Sequence, residues 1–193
     1  MSPGALRAIA VAAVMGVLAV LILSEVDHAV HGNKALPLEY ASVIREQAAD
    51  KHLDPALIAA VIYAETKFDP RPSVAGAQGL MQILPATAYY IAGLSGGRSF
   101  TAADLATPSI NLAYGSYYLK YLLDHYGGNE TLAIAAYNGG LANVDSWVAR
   151  AGSSGRRLTV GAIPFPETRA YVERVLAAQQ AYRADYPHAL GLQ

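Results

Sequence analysis

Glu65 closes an apolar run, Asp54-Pro55-Ala56-Leu57-Ile58-Ala59-Ala60-Val61-Ile62-Tyr63-Ala64-Glu65. Asp54 supplies an N-cap oxygen, and Pro55 suits the first helical position, where a missing N–H costs nothing. Leu57, Val61 and Glu65 are spaced by four, so they share one face, with Ile58 and Ile62 beside them. Glu65 therefore points toward a core or a cleft cut into it. Desolvation there, and the negative end of the helix dipole, both disfavour the ionised form and raise the pKa. A carboxylic acid that keeps its proton near neutral pH is what general-acid chemistry requires.

The elements that must position this acid read as consecutive helices. One candidate covers about 37–51, with Tyr40, Val43, Ile44 and Ala48 on one stripe. The Glu65 helix follows, and Pro70, Pro72, Gly76 and Gly79 then break the chain into an irregular loop. Pro85 opens a helix through Thr87, Tyr90 and Ile91 that Gly93 is expected to stop, and Gly96-Gly97-Arg98-Ser99 is a loop. Thr107-Pro108 begins a long helix over about 109–126, carrying Tyr114, Tyr117, Tyr118 and Tyr121. Most of these tyrosines are explained as core residues whose hydroxyls reach a polar partner. Asn129 caps a helix through Thr131 to Tyr137, ended by Gly139-Gly140, and Gly152-Ser153-Ser154-Gly155 reads as a loop. A last helix from about Glu167 repeats Tyr171, Val175, Ala178 and Tyr182 on one face and ends before Pro187. Alternating β-branched runs are nearly absent, so the fold class is all-α.

Four blocks, in order, carry a resemblance. They are Ala64-Glu65-Thr66-Lys67-Phe68-Asp69-Pro70, Gly76-Ala77-Gln78-Gly79-Leu80-Met81-Gln82-Ile83-Leu84-Pro85-Ala86-Thr87-Ala88, Ala135-Ala136-Tyr137-Asn138-Gly139-Gly140, and Ile163-Pro164-Phe165-Pro166-Glu167-Thr168-Arg169-Ala170-Tyr171-Val172. Together they resemble the lytic transglycosylase (SLT) family of lysozyme-like enzymes that cleave bacterial peptidoglycan. Thr66 stands where the family usually has Ser, keeping a hydroxyl, and Gly139 stands where it more often has Ala.

The resemblance implies a lysozyme-like helical domain and a reaction that needs no metal or cofactor. Glu65 would protonate the glycosidic oxygen between N-acetylmuramic acid and N-acetylglucosamine. It would then take the proton from the muramic acid 6-hydroxyl as that oxygen attacks the anomeric carbon. Gln78, Gly79, Leu80, Met81 and Gln82 would line the sugar sites, with Gln82 hydrogen bonding to substrate. Tyr137 and Asn138 would sit against Glu65, Tyr137 orienting it, and Thr66 would bond the carboxylate or the substrate. Ordinary glycosidases use two carboxylates. Here the candidates for a second are Asp69, Asp104, Asp145 and Glu167, and the resemblance makes Glu167 a supporting group across the cleft. A hydrolytic muramidase with Asp69 or Glu167 as base, and a non-catalytic peptidoglycan-binding domain, are the alternative readings.

Composition bounds the rest. The chain has 193 residues with 14 Lys+Arg against 15 Asp+Glu, a balance that gives no reason to expect nucleic acid as a partner. It has no cysteine, so disulfides, a thiol nucleophile and a lipidated anchor are excluded. The five histidines are scattered; only His28 and His31 are close, too few for a zinc site. No P-loop, dinucleotide fingerprint or nucleophile elbow is present. Residues 8–23 form an unbroken apolar run preceded by Arg7 and followed by Ser24-Glu25-Val26-Asp27. Its length falls between a signal-peptide core and a full membrane span, and no small-residue cleavage site follows closely, which favours an uncleaved helix over a cleaved signal. Arg7 on the short N-terminal side leaves the remainder outside the cytoplasm. The expected organisation is thus an anchor or signal with its linker over 1–33 and a catalytic domain over 34–193. Expected partners are peptidoglycan glycan strands and, through the first helix, the membrane; an envelope-spanning assembly is compatible.

Overall fold

A computed structural model describes residues 35–71, 73–96 and 99–192. The apolar run at 8–23, and with it the expected anchor and the histidine pair, lies outside the described residues. Among the described residues the regular structure is helical, the sole strand-like pairing being one isolated bridge between Gln78 and Ile83. No described helix is long and apolar enough to cross a membrane. The helices are α1 (Ala41–Lys51), α2 (Pro55–Thr66), α3 (Pro85–Ser95), α4 (Pro108–His125), α5 (Glu130–Gly139), α6 (Leu141–Ser153), α7 (Pro166–Asp185) and α8 (Pro187–Leu190), with short 3₁₀ turns at Ala102–Ala106 and Val160–Ala162.

The core is built around α2. Its residues from Ala56 to Ile62 are all buried, so the helix is apolar on every side rather than on one stripe. Such a helix is stable only when other helices wrap it, and α7 packs along it most extensively, with α1 on another side. The start of α2 is fixed as the sequence requires: Asp54 Oδ1 accepts from the Ala56 N–H at 3.0 Å and Pro55 occupies the first turn. The second oxygen of Asp54 accepts from Gln179 Nε2 at 2.7 Å and Arg183 Nη2 at 2.8 Å, so one carboxylate both caps α2 and pins α7 to it.

Several boundaries differ from expectation. The first helix starts at Ala41, not near Pro37, because Tyr40 takes a left-handed conformation and the carbonyls upstream serve elsewhere. Leu36 O and Pro37 O accept from the hydroxyls of Tyr186 and Tyr182, both at 2.6 Å, which straps this extended segment across α7. Gly93 does not stop α3; the helix continues to Ser95, and Gly96 provides the left-handed cap. The helix α6 has no counterpart among the expected elements. It follows α5 after a single residue, Gly140, and buries Val144 and Trp147.

Candidate active site

Glu65 sits in the last turn of α2, immediately before a sharp exit. Lys67 and Phe68 both have positive φ, 52° and 66°. Two consecutive non-glycine residues in that region are costly and persist only where the surroundings enforce them. Here the enforcement is the burial of Phe68, whose ring lies 6.4 Å from that of Tyr182. The exit turns the chain into the irregular loop and leaves Glu65 on the wall of a cleft of about 390 Å³, shared with Lys67, Asp69, Arg71 and Gln82.

Among the described residues the carboxylate has one side-chain hydrogen-bond partner, the Tyr171 hydroxyl of α7, which donates to Oε1 at 2.7 Å. Burial pushes the Glu65 pKa up from 4.5 to about 7, against the Tyr171 hydrogen bond and the Arg174 guanidinium, which both pull it down. The sequence expectation of a desolvated acid at a helix end is met, and burial is the leading cause. Tyr171 itself is driven far above the ordinary phenol range by burial and then by the neighbouring Glu65 charge, so it stays a proton-bearing donor.

The loop after α2 is held by one buried amide that the sequence reading missed. Asn111 of α4 accepts from the Met81 N–H at 2.8 Å and donates through Nδ2 to Gln78 O at 2.9 Å and Leu105 O at 3.1 Å. The approach is so close that a Cβ on Gly79 would lie 2.1 Å from Asn111 Nδ2, and Gly79 also needs φ 72°. Gly115 makes the matching space for Met81: a Cβ there would come within 2.3 Å of the Met81 sulfur. A polar residue on the apolar stripe of a long helix was the available signal.

This packing shows what the expected site side chains touch within the protein. The side chains of Leu80 and Met81 are buried in the core, where they anchor the loop. Thr66 does not bond Glu65: its hydroxyl donates to Leu80 O at 2.8 Å and sits 3.1 Å from Ile62 O, tying the helix end to the loop. Gln82 faces the cleft, but its amide donates to Gly79 O at 2.9 Å and Arg71 O at 3.0 Å, supporting a backbone with φ 47°. Gln78 lines a neighbouring hollow with Pro70, Arg71, Gly76, Gly79 and Ala106, and Arg71 is common to it and the Glu65 cleft. Tyr137 lies close enough to Glu65 for the carboxylate charge to raise its pKa further after burial. Its hydroxyl nevertheless donates to Met81 O at 2.9 Å, so the tyrosine that orients the carboxylate is Tyr171. Exposed Asn138 accepts from Thr168 Oγ1 at 2.9 Å, joining the end of α5 to the start of α7. Thr168 and Trp147 also crowd Gly139: an added Cβ would meet Thr168 Oγ1 at 3.0 Å and the Trp147 ring at 3.3 Å, which rationalises glycine there.

The other carboxylates are mostly engaged in structure. Asp104 completes a capping box with Thr101, its Oδ2 accepting from the backbone N–H at 2.7 Å and from the hydroxyl at 3.0 Å. Asp145 accepts from Tyr126 at 2.9 Å and contacts His125 at 3.0 Å. Glu167 is exposed in the first turn of α7. Asp69 alone shares the Glu65 cleft, and it is ion-paired with Arg71 at 2.7 Å. Among the described residues no three His, Cys, Asp or Glu side chains converge as a metal site.

The profile of the Transglycosylase SLT domain family matches residues 42–160. This chain belongs to that family. The SLT domain here is 33% identical over 159 residues to the soluble lytic murein transglycosylase of Escherichia coli K12, covering 79% of this chain and 24% of the relative. It is 36% identical over 114 residues to the transglycosylase of Enterobacteria phage PRD1, covering 58% of this chain and 39% of that protein. Among solved structures, an inactive glutamate-to-glutamine mutant of the lytic transglycosylase Slt from Pseudomonas aeruginosa superposes with a TM-score of 0.71 at 30% identity, over 77% of this chain and 24% of that one. The 70 kDa soluble lytic transglycosylase of Escherichia coli gives a TM-score of 0.71 at 32% identity, over 77% and 25%. The same TM-score, 0.71, holds for a complex of the 70 kDa enzyme with bulgecin A, at 33% identity over 77% and 25%. The all-α, lysozyme-like SLT fold is thereby shown for the described helical domain. The chain spans about a quarter of the length of the cellular relatives it matches.

Proposed function

We propose that this SLT domain is a peptidoglycan lytic transglycosylase in which Glu65 acts first as acid and then as base. The observation that carries the reading is the half-buried Glu65 carboxylate on the cleft wall, hydrogen bonded to Tyr171 and with a pKa raised to about 7. At that value the group both donates and accepts a proton readily near neutral pH. Glu65 gives its proton to the glycosidic oxygen as the bond to the anomeric carbon breaks. The muramic acid 6-hydroxyl then attacks that carbon and returns its proton to Glu65, so the acid is regenerated and no water is consumed. Tyr171 holds the carboxylate at fixed orientation in both states, accepting nothing and donating throughout. The names of the relatives and the inactivity of a glutamate-to-glutamine mutant in one of them support the same class of chemistry.

In this reading Thr66, Gly79, Leu80, Met81 and Gln82 shape the cleft through backbone geometry. Tyr137, Asn138 and Glu167 remain proposed substrate contacts, with Gln78 at the loop edge. Asp69 favours a second reading, hydrolysis, because it lies in the same cleft; its pairing with Arg71 and its exposure argue against a base on the far side of a bound ring. Mass spectrometry of products from purified sacculi separates the two. Muropeptides ending in 1,6-anhydro-N-acetylmuramic acid, lighter by one water and resistant to borohydride, are expected, whereas mainly reducible ends refute the transglycosylase. We further propose that 1–33 delivers the domain at 34–193 to the cell envelope as a membrane anchor. The full-length protein should then sediment with membranes, and recovery of a shortened chain in the soluble periplasmic fraction contradicts the anchor.

A further inference from the structure

The turn that ends α2 holds a lysine in a strained backbone. Lys67 caps the helix with φ 52° and ψ 33°, and its N–H donates to Tyr63 O at 3.0 Å. Glycine or asparagine is the usual occupant of such a left-handed cap, because a Cβ crowds the following carbonyl there. The capping hydrogen bond is a backbone bond that glycine would make equally well. Burial of the Phe68 ring accounts for the strain at the next residue. Nothing comparable accounts for Lys67. Its side chain is exposed on the wall of the Glu65 cleft, and among the described residues its ammonium has no hydrogen-bond or ion-pair partner. The negative end of the helix dipole favours a cation in this turn but does not require it at the strained position. A strained residue at a cleft whose side chain touches nothing in the protein points to something that enters the cleft.

The charge of the cleft is unbalanced by the same residue. Asp69 and Arg71 pair at 2.7 Å and cancel, and Glu65 must begin the reaction protonated and so uncharged. What remains on that wall is the Lys67 ammonium. From α7 the Arg174 guanidinium, one turn beyond Tyr171, adds a second positive field at Glu65. A polymer of N-acetylhexosamines alone is uncharged and offers this cation nothing. A muramyl residue differs by a 3-O-lactyl ether, which ends in a carboxylate or continues through an amide into a peptide with carboxylates of its own. Cleavage at a muramyl anomeric carbon therefore brings negative charge close to the reacting ring.

We propose that Lys67 is a specificity-determining residue, whose ammonium binds a carboxylate of the 3-O-lactyl substituent on the muramyl ring at the cleaved bond, so that charged strands are preferred over neutral ones. The inference rests on the reading of Glu65 as a glycan-cleaving acid. Lysine suits the task as a compact charge on a long flexible stem, able to reach a substituent that projects from the ring. The contact is partly hydrated and belongs with exposed ion pairs, so it is weakened by salt and confers about a fivefold preference at low ionic strength. Being made equally before and during bond cleavage, it lowers KM and leaves kcat alone.

The test uses the full chain and three sets of uncross-linked glycan strands of matched length. One set bears peptide stems, one is stripped by an amidase to the free lactyl carboxylate, and one is stripped and then converted to neutral lactyl methylamides. Lys67→Met keeps the side-chain length and the backbone strain but removes the charge. It should raise KM about fivefold on charged strands, leave KM for methylamide strands and every kcat unchanged, and lose its effect in about 1 M salt. A rise on stem-bearing strands assigns a peptide carboxylate, and a rise on stripped strands assigns the lactyl carboxylate. Lys67→Arg should restore the preference, and Lys67→Gly, which relieves the backbone, should behave as Lys67→Met does. In the inactive Glu65→Gln protein, Lys67→Met should weaken binding of the charged strands and spare the neutral ones. Equal KM for all three sets in the wild type, or a Lys67→Met effect that is the same on neutral and charged strands, overturns the role of Lys67 while cleavage itself stands. No cleavage of any set by the wild type overturns the reading of Glu65, and the binding comparison then decides Lys67 by itself.

Discussion

Replacing Glu65 with Gln should stabilise the protein in mild alkali while abolishing its chemistry. The folded-state pKa is raised, so between pH 4.5 and about 7 the folded protein keeps a proton that the unfolded chain has released. Stability contributed by the protonated acid is complete below 4.5 and is lost as the pH climbs to about 7. At about 1.4 kcal/mol per pH unit, that window amounts to roughly 3 kcal/mol. Glutamine has no proton to lose, and its amide can still meet the Tyr171 hydroxyl. Urea unfolding of both proteins across the pH range isolates the effect, because every other titration cancels in the difference. The variant should gain on the wild type by ~3 kcal/mol from acid to mild alkali, a Tm difference of roughly 6–12 °C for a domain of this size. The gap should be flat above pH 8. Activity on sacculi should fall at least about a hundredfold in the same variant. A stability difference that does not change with pH would mean that Glu65 is hydrated when folded, and the acid assignment would fail with it.

Tyr171→Phe removes the hydrogen bond that lowers the Glu65 pKa, so the alkaline limb of the activity profile should move to higher pH; an unmoved limb would remove Tyr171 from the site. Asn111→Ala leaves the Met81 N–H buried without its acceptor and takes a donor from Leu105 O and from Gln78 O, which keeps only the Ile83 N–H. It should cost about 3 kcal/mol in chemical denaturation and disable the cleft even where the protein remains folded. Gly79→Ala meets both a clash and a left-handed backbone and should lose at least ~2 kcal/mol. Gly76→Ala, with similar φ but nothing within 4 Å, should lose only about 1 kcal/mol; equal losses would show that the Asn111 contact does not matter.

The sequence made the acid legible because its signals are local. Asp54, Pro55 and the apolar run specify where α2 starts and which residue ends it, and burial follows from the composition of that run. Tyr171 was visible only as a residue on the core face of the last helix. Its partner is 106 positions away, and nothing local distinguishes a tyrosine that bonds a carboxylate from one that bonds a carbonyl. Asn111 was missed for the same reason: its three partners lie in the loop and the 3₁₀ turn, brought together only by packing. Gly93 misled because a glycine inside a helix costs about 1 kcal/mol, less than the burial of Ile91 and Ala92 on the same turn returns. The carbonyls of Leu36 and Pro37 look free to enter a helix until the two distant tyrosines that claim them are known.

The single amide that suspends the Gln78–Ile83 loop has a consequence for modularity. The conformation of that loop is written largely in another element: Asn111 sets where the backbone turns and Gly115 how deep Met81 may sit, while Thr66 of α2 and Tyr137 of α5 add ties at Leu80 O and Met81 O. Grafting residues 76–82 onto a foreign scaffold would therefore transfer letters without their meaning, since the instructions remain behind in α4. Recombination that respects function must move the loop and that helix as one unit, and a chimera cut between them should fold with an unshaped cleft. Heritable variation in the loop is correspondingly tied to α4, so a tolerated change at Gly79 or Met81 calls for a compensating one at Asn111 or Gly115.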